Sequence, residues 1–155
     1  MFMSLDNITD IFDFNDFDYF YHETSVDNAK SIMENGLLVE GTNIIGTDNI
    51  LFTTTCSINE EIASSSDAFR DYIESEFSPS DFRDVSAMVI LGAGKEEDKQ
   101  IVEPFESTIN GKYYQGIIRP QYIVGYIDME ELEFYPNENY EYYDEVVDNA
   151  SYGRR

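Results

Sequence analysis

His22 is the only histidine among the 155 residues of the chain, and it lies where an aromatic run meets the start of a helix. Phe20 and Tyr21 favour an extended backbone, and Thr24 or Ser25 then offers a side-chain oxygen to the free amides of a helix start. Such amides form a natural subsite for a phosphate or another anionic group. We therefore predict that His22 and Thr24 face a ligand. The alternative interpretation gives His22 a purely structural role.

The elements that would position this histidine are predicted by the same stretch of sequence. Ala29, Ile32 and Met33 recur at helical spacing after the aromatic run. Asn35-Gly36 supplies residues that tolerate the left-handed turn at a helix end. Residues 19–38 therefore predict a strand, a tight corner, a short amphipathic helix and a stop.

The chain has few residues for thiol or metal chemistry. Its single cysteine, Cys56, cannot form a disulfide within the chain, and one cysteine with one histidine cannot make a usual structural zinc site. A cysteine protease would have to use Cys56 with His22, and a small buried residue is the simpler interpretation of Cys56. Neither a signal peptide nor a membrane-spanning apolar run is visible. We expect a cytoplasmic protein without a metal site and without membrane contact.

The net charge of the chain limits the classes of molecule that it can bind. Nine Lys and Arg residues stand against 32 Asp and Glu residues, which gives a formal net charge of −23. Charges this dense on a small domain repel polyanions, so direct binding to nucleic acid or to an anionic membrane is disfavoured. The same field attracts basic proteins. Plain solubility and adaptation to high salt are the competing interpretations of the charge.

The composition divides the chain into three segments. Residues 1–18 alternate aspartates with apolar and aromatic residues, which predicts an acidic aromatic arm that lays its rings on the body. Residues 19–128 carry the predicted helices and strands of one domain. Residues 129–155 form an acidic, tyrosine-rich tail of low complexity, which either packs its tyrosines on the body or remains mobile.

The predicted order of elements within residues 19–128 indicates the fold class. Strands are predicted at residues 50–54, 87–91, 100–103, 113–118 and 122–127, with Gly92 to Gly94 ending the second of these. A capping box from Ser57 to Glu60 predicts a second helix, which Ser64 to Ser66 weaken in its middle. Strands that cluster after an initial helical region predict an α+β fold. We expect a small split, mostly antiparallel sheet with helices packed near the N-terminal half.

Three stretches resemble motifs of the ADP-ribosyltransferase-like superfamily. The sequence YHETS at residues 21–25, followed by Asn28-Ala29, Ile32 and Asn35-Gly36-Leu37, resembles its opening strand and helix. Phe52-Thr53-Thr54 resembles its second motif, a strand that ends in small hydroxyl residues. Residues 118–127 resemble its closing strand. The resemblance covers about residues 19–128, and its first motif is the most specific.

The resemblance implies a split sheet that holds NAD in a central cleft. His22 would bind the nicotinamide ribose, the backbone beside Tyr21 would hold the nicotinamide amide, and Thr24 would contact the dinucleotide. Phe52, Thr53 and Thr54 would line the nicotinamide side. In that family a carboxylate stabilises the positive charge that develops as the bond from ribose to nicotinamide loosens.

The third motif departs from the family pattern. The position of the family's catalytic glutamate falls on Lys99 or Gln100, unless Glu103 or Glu106 takes its place. A neutral glutamine can bind a ribose hydroxyl but supplies no negative field, and losing such a contact costs about a hundred- to thousandfold in rate. The resemblance therefore implies a weak enzyme, one with a relocated acid, or a relative without catalysis.

Two functions from different classes follow, beside the third possibility of a soluble domain with neither property. The first is an NAD-dependent ADP-ribosyltransferase-like protein that modifies a protein target, most consistently a basic one. The second is an acidic inhibitor without catalysis, which imitates a nucleic-acid backbone and occupies a basic nucleic-acid-binding protein, as some phage counter-defence proteins do. The second hypothesis rests on the net charge and on the acidic stretch after Ile127.

Overall fold

The computed structural model describes residues 3–39, 42–43, 50–51, 56–58, 60–76, 85–95 and 116–152, in which ten strands and three α helices lie. The helices are α1 (Val26–Asn35), α2 (Ser66–Glu76) and α3 (Tyr143–Tyr152), and two short 3-10 helices span Leu5–Ile11 and Pro120–Tyr122. The first five strands are β1 (Met3–Ser4), β2 (Phe17–Thr24), β3 (Leu37–Val39), β4 (Thr42–Asn43) and β5 (Ile50–Leu51). The others are β6 (Cys56–Ile58), β7 (Ala87–Gly94), β8 (Gly116–Ile118), β9 (Ile123–Asp128) and β10 (Glu133–Pro136).

The main sheet is antiparallel throughout. Its strand order is β1-β10-β9-β7-β2-β6, and β2 pairs with β7 over its whole length, from Phe17 opposite Gly94 to Thr24 opposite Ala87. Two smaller sheets pair β3 with β8 and β4 with β5. These pairings confirm the α+β class and the mostly antiparallel sheet predicted from the sequence.

Side chains from the two faces of this sheet form two hydrophobic cores. On one face, Tyr19 and Tyr21 of β2 pack with residues of α2, α3 and the first 3-10 helix. On the other face, Phe20 of β2 packs with Ala29 and Ile32 of α1. This division follows from the period of two along a strand, because successive side chains point to opposite faces.

The segment from β2 to the end of α1 confirms the prediction for residues 19–38. Ser25 is the N-cap, and its Oγ accepts a hydrogen bond of 3.2 Å from the backbone amide of Asn28. Of the two capping candidates the chain uses Ser25 and leaves Thr24 in the strand. Gly36 ends the helix with a positive φ of 92°, a conformation that costs glycine little.

Two predicted boundaries are wrong. The helix expected from Ser57 begins only at Ser66, since Cys56–Ile58 is a strand that pairs with β2. The serine run marks the helix start and not its middle, because Ser65 Oγ accepts a hydrogen bond from the amide of Ala68. The strand expected to end at Gly92 continues to Gly94, where its backbone still pairs with β2.

The two ends of the chain meet on the main sheet. β1 pairs with β10, and the first 3-10 helix contacts both α2 and α3. Ile8, Phe134, Tyr140 and Val146 are buried in the same core. Of the alternatives for the acidic tail, residues 129–148 thus pack on the body, in a strand and a helix that the sequence analysis did not predict.

None of the helices in the described parts of the chain is both long enough and apolar enough to cross a membrane.

Gly125 provides a direct test of the packing between β9 and β10. A Cβ added there would lie 2.3 Å from the carbonyl oxygen of Tyr135 and 2.8 Å from the Phe134 ring. Because a strand backbone cannot move aside cheaply, we expect Gly125→Ala to lower the free energy of unfolding by about 1–3 kcal/mol. Urea denaturation followed by circular dichroism measures the loss.

Gly92→Ala is the matched control for this packing test. The three atoms nearest to a Cβ at Gly92 all belong to side chains, and the nearest are Tyr140 Oη and Val124 Cγ2 at 3.0 Å. These side chains can shift by a few tenths of an ångström, so the expected loss is smaller. A Gly125→Ala protein as stable as the Gly92→Ala protein would contradict the described register of β9 and β10.

Candidate functional site

His22 and Thr24 lie on the same face of the main sheet as α1. They pair with Val89 and Ala87 of β7, and both of these residues belong to the core that contains Ala29 and Ile32 of α1. Residues directly opposite each other in an antiparallel pair share a face. His22 and Thr24 are both half-buried. The structure therefore places these two predicted site residues next to each other on the same face, two residues apart along β2.

The side chain of Tyr21 lies on the opposite face. It is buried in the core with Ile58 and Ile73, and its hydroxyl is hydrogen-bonded to the hydroxyl of Tyr72 in α2. The ring of Tyr21 therefore belongs to the core, and its backbone lies within the sheet, between Ile90 of β7 and Cys56 of β6.

The start of α1 does not support the predicted anion subsite. The amide of Val26 donates to Ser86 Oγ at 3.1 Å, and the amide of Asn28 donates to Ser25 Oγ. The first turn also carries the exposed carboxylate of Asp27. Because these amides already have partners and a negative charge lies beside them, a phosphate gains little there.

The hydroxyl of Thr24 keeps one hydrogen-bonding function for a ligand. Its Oγ1 accepts a hydrogen bond of 3.3 Å from Asn28 Nδ2, while its backbone carbonyl accepts one of 2.9 Å from the amide of Ser86. A threonine hydroxyl that accepts one bond can still donate its own proton. Thr24 can therefore act as a donor toward a ligand oxygen near His22.

The other predicted site residues lie outside the described residues. They are Phe52, Thr53 and Thr54 of the second motif, and Gln100, Glu103 and Glu106 of the third motif. The described strand that follows the second motif is β6, whose Cys56 pairs with Tyr21, one residue before His22.

A row of four side chains crosses the sheet from His22. Two of them, Tyr126 and Tyr135, were not predicted as site residues. His22 is opposite Val89, Val89 is opposite Tyr126, and Tyr126 is opposite Tyr135. His22 and Tyr126 are thus about 10 Å apart, two strand spacings. The rings of Tyr126 and Tyr135 stack with centroids 4.9 Å apart and an interplanar angle of 12°. In the sequence, the alternation Glu-Phe-Tyr-Pro at residues 133–136 indicates β10, the strand that carries Tyr135.

Both tyrosines of this stacked pair are held in their protonated form. The Tyr135 hydroxyl donates a hydrogen bond of 2.9 Å to Glu133 Oε2, and this bond to a carboxylate raises the pKa of Tyr135 to about 12. Burial, followed by the charge of Asp128, raises the pKa of Tyr126. At neutral pH the pair therefore offers aromatic surface and no general base, and the hydroxyl proton of Tyr135 is already donated to Glu133.

Two cavities open on the surface formed by the described residues. One, of about 470 Å³, lies between α1 and β10 and is lined by Tyr126 and Tyr135. The other, of about 530 Å³, lies on the opposite face near Asp16, Lys95 and Glu145. His22 lines neither cavity. Within the described ranges, no group of three or more histidine, cysteine, aspartate or glutamate side chains is placed to hold a metal ion.

Comparison with known proteins found no matching family model, no matching curated protein and no matching solved structure.

The hydrogen bond between Tyr135 and Glu133 can be tested by titration. Glu133→Ala removes the acceptor and its charge, so we expect the pKa of Tyr135 to fall from about 12 toward the ordinary tyrosine value of about 10. The ¹³C chemical shift of Tyr135 Cζ, followed against pH, measures the change. Glu131→Ala, at an exposed position in the turn between β9 and β10, is the control. Equal shifts in both variants would contradict the assignment of the cause to Glu133.

Proposed function

We propose that the protein binds NAD and is an ADP-ribosyltransferase-like protein that modifies a protein target. The observation that carries the proposal is the corner from β2 to α1. There His22 and Thr24 are half-buried on one face of the inner strand β2, directly before a Ser25-capped helix. The strand that resembles the family's closing motif, β9, belongs to the same sheet, two positions from β2.

The side chains at this corner fit the ribose end of NAD better than its pyrophosphate. An imidazole and a hydroxyl are hydrogen-bonding groups, and they match sugar hydroxyls. At the start of α1 the amides of Val26 and Asn28 are engaged by Ser86 and Ser25, which leaves less of this turn for a phosphate. We therefore assign His22 and Thr24 to the nicotinamide ribose and place the pyrophosphate away from the start of α1.

The proposed chemistry gives each residue a limited role. Bound NAD supplies the bond between ribose and nicotinamide that breaks during transfer. His22 would hold and orient the ribose through a hydrogen bond, with Thr24 as a second donor. Glu103 or Glu106 would place a carboxylate against the positive charge of the sugar in the transition state. Gln100 would contribute a hydrogen bond without a charge, so activity depends on one of the two glutamates.

The charge of the chain supports a protein acceptor over a nucleic acid. A net charge of −23 repels a polyanionic acceptor and attracts a basic protein surface. The described carboxylates lie on both sides of the sheet, including exposed Glu34 on α1 and exposed Asp144 on α3.

NAD binding tests the proposal at His22. Isothermal titration calorimetry of the whole chain is expected to show NAD binding, and His22→Ala is expected to raise Kd by about 3- to 10-fold, the worth of one lost hydrogen bond. His22→Asn, which keeps a hydrogen-bond donor, should lose less. Glu60→Gln, at an exposed position before α2, is the control and should bind as the wild type does. Failure of the unmodified chain to bind NAD would reject the proposal.

Transfer is measured separately from binding. Labelled NAD is incubated with the protein and a lysate, using Glu103→Gln and Glu106→Gln in parallel. Loss of labelling in one of these variants identifies the catalytic carboxylate. Binding without any labelling would leave an NAD-binding protein and reject the enzymatic part of the proposal.

A second candidate, an acidic inhibitor of a nucleic-acid-binding protein, is favoured by one surface. Glu141, Asp144, Glu145 and Asp148 are all exposed along α3 and the turn before it. Part of this charge has a structural use, because Asp144 and Glu145 lie in the first turn of α3, where carboxylates stabilise a helix. The other two carboxylates, of Glu141 and Asp148, would face the basic groove of such a partner and attract it.

Substitution is the appropriate test of this second candidate, because β10 and α3 belong to the sheet and the core and their deletion would unfold the protein. Glu141→Gln, Asp144→Asn and Asp148→Asn together are expected to weaken a salt-sensitive complex with a basic DNA-binding protein, measured by competition with DNA. Asp67→Asn, Asp71→Asn and Glu74→Gln on α2 remove the same charge from exposed positions elsewhere. Equal effects of the two sets would contradict a specific acidic surface on α3.

A further inference from the structure

The cavity between α1 and β10 is a groove that the proposed NAD site does not use. We call it the α1–β10 groove. Its volume is about 470 Å³, its walls come from α1 on one side and from β9, β10 and residues 137–139 on the other, and His22 is not among its lining residues. Its function therefore has to be inferred from its own side chains.

The inner surface of the α1–β10 groove is apolar and aromatic. Val26 and Met33 line it from α1, and the stacked rings of Tyr126 and Tyr135 line it from the sheet. Tyr126 is 3% exposed and supports Tyr135, which remains half-buried at the groove. A flat aromatic surface of this kind suits a planar group that can stack on it.

The rim of the groove is acidic. Glu34 on α1 and Glu138 on the opposite wall are both exposed, and Asp128 of β9 also lines the groove. Among the described residues that line the groove, Lys30 is the one basic residue. Carboxylates therefore outnumber cations here, as they do over the whole chain. Such a rim repels phosphate and attracts a cation.

Hydrogen bonds hold the two walls in place. Asn137 is 2% exposed, and its side-chain amide donates to the carbonyls of Pro120 and Ile123 at 3.3 and 3.0 Å. Asn139 Nδ2 then reaches across to the carbonyl of Met33 on α1 at 3.2 Å. A groove whose walls are joined in this way is organised before a ligand arrives, which reduces the entropic cost of binding.

We propose that the α1–β10 groove binds an arginine side chain presented by a partner protein. A guanidinium group is planar, stacks on an aromatic ring, and donates paired hydrogen bonds to carboxylates. Its aliphatic stem suits the apolar contacts of Val26 and Met33. The ammonium of lysine is a compact, strongly hydrated charge and would use the aromatic surface less well. This inference does not depend on NAD, because the groove and His22 are separate.

Fluorescence anisotropy tests the inference with short fluorescein-labelled peptides in which glycine alternates with arginine, lysine or citrulline. The arginine peptide is expected to bind most tightly, and the neutral citrulline peptide is expected to lose binding. Tyr135→Leu should raise Kd for the arginine peptide by about 3- to 30-fold, since it removes the aromatic surface. Tyr135→Phe keeps the ring and should bind within about twofold of the wild type.

Charge-matched variants separate the groove from general attraction to an acidic protein. Glu34→Gln with Glu138→Gln removes two carboxylates from the rim, and Asp144→Asn with Asp148→Asn removes two exposed carboxylates from α3 on the other face of the sheet. Only the rim pair is expected to weaken the arginine peptide, by about fivefold. Equal weakening by both pairs, or equal binding of arginine and lysine peptides, would overturn the inference. If Tyr135→Leu does not fold, the comparison of the rim pair with the α3 pair still tests the inference, because all four positions are exposed.

Discussion

The pairing of β2 with β7 is the constraint on which the rest of the structure depends. Eight residue pairs, from Phe17 opposite Gly94 to Thr24 opposite Ala87, fix which side chains of β2 enter each core. A slip of one residue would exchange the two faces, burying His22 where Tyr21 now lies. Cores on both sides of the sheet make such a slip costly, because each face has its own set of buried side chains.

Because of this register, different helices and side chains pack on the two faces of the sheet. One face is covered by α2, α3 and the first 3-10 helix, and it holds an aromatic cluster in which Tyr19 packs edge-on against Phe12 and Phe14. The other face carries α1, the corner with His22 and Thr24, and the α1–β10 groove. The hydrogen-bonding groups of the proposed ribose site and the aromatic groove thus share one face, opposite the face that α2 and α3 cover.

Local signals explain which parts of the fold could be predicted from the sequence. The corner at Ser25 and the stop at Gly36 were predictable because a cap and a positive φ are local requirements. The helix expected from Ser57 failed because Cys56–Ile58 pairs with β2, a partner distant in sequence. The stack of Tyr126 on Tyr135 depends on the β9–β10 register. That register was hidden in an acidic stretch in which carboxylates obscure the apolar period.

The central claim is that the β2–α1 corner, with His22 and Thr24 on one face, holds the ribose of NAD. Two-dimensional ¹H–¹⁵N NMR of the whole chain, recorded during titration with NAD, tests it most directly. The account predicts that shift changes concentrate at His22, Thr24 and the first turn of α1, and at their β7 partners Ala87 and Val89. Shift changes confined to α2 and α3 on the opposite face, or the absence of any change, would contradict it.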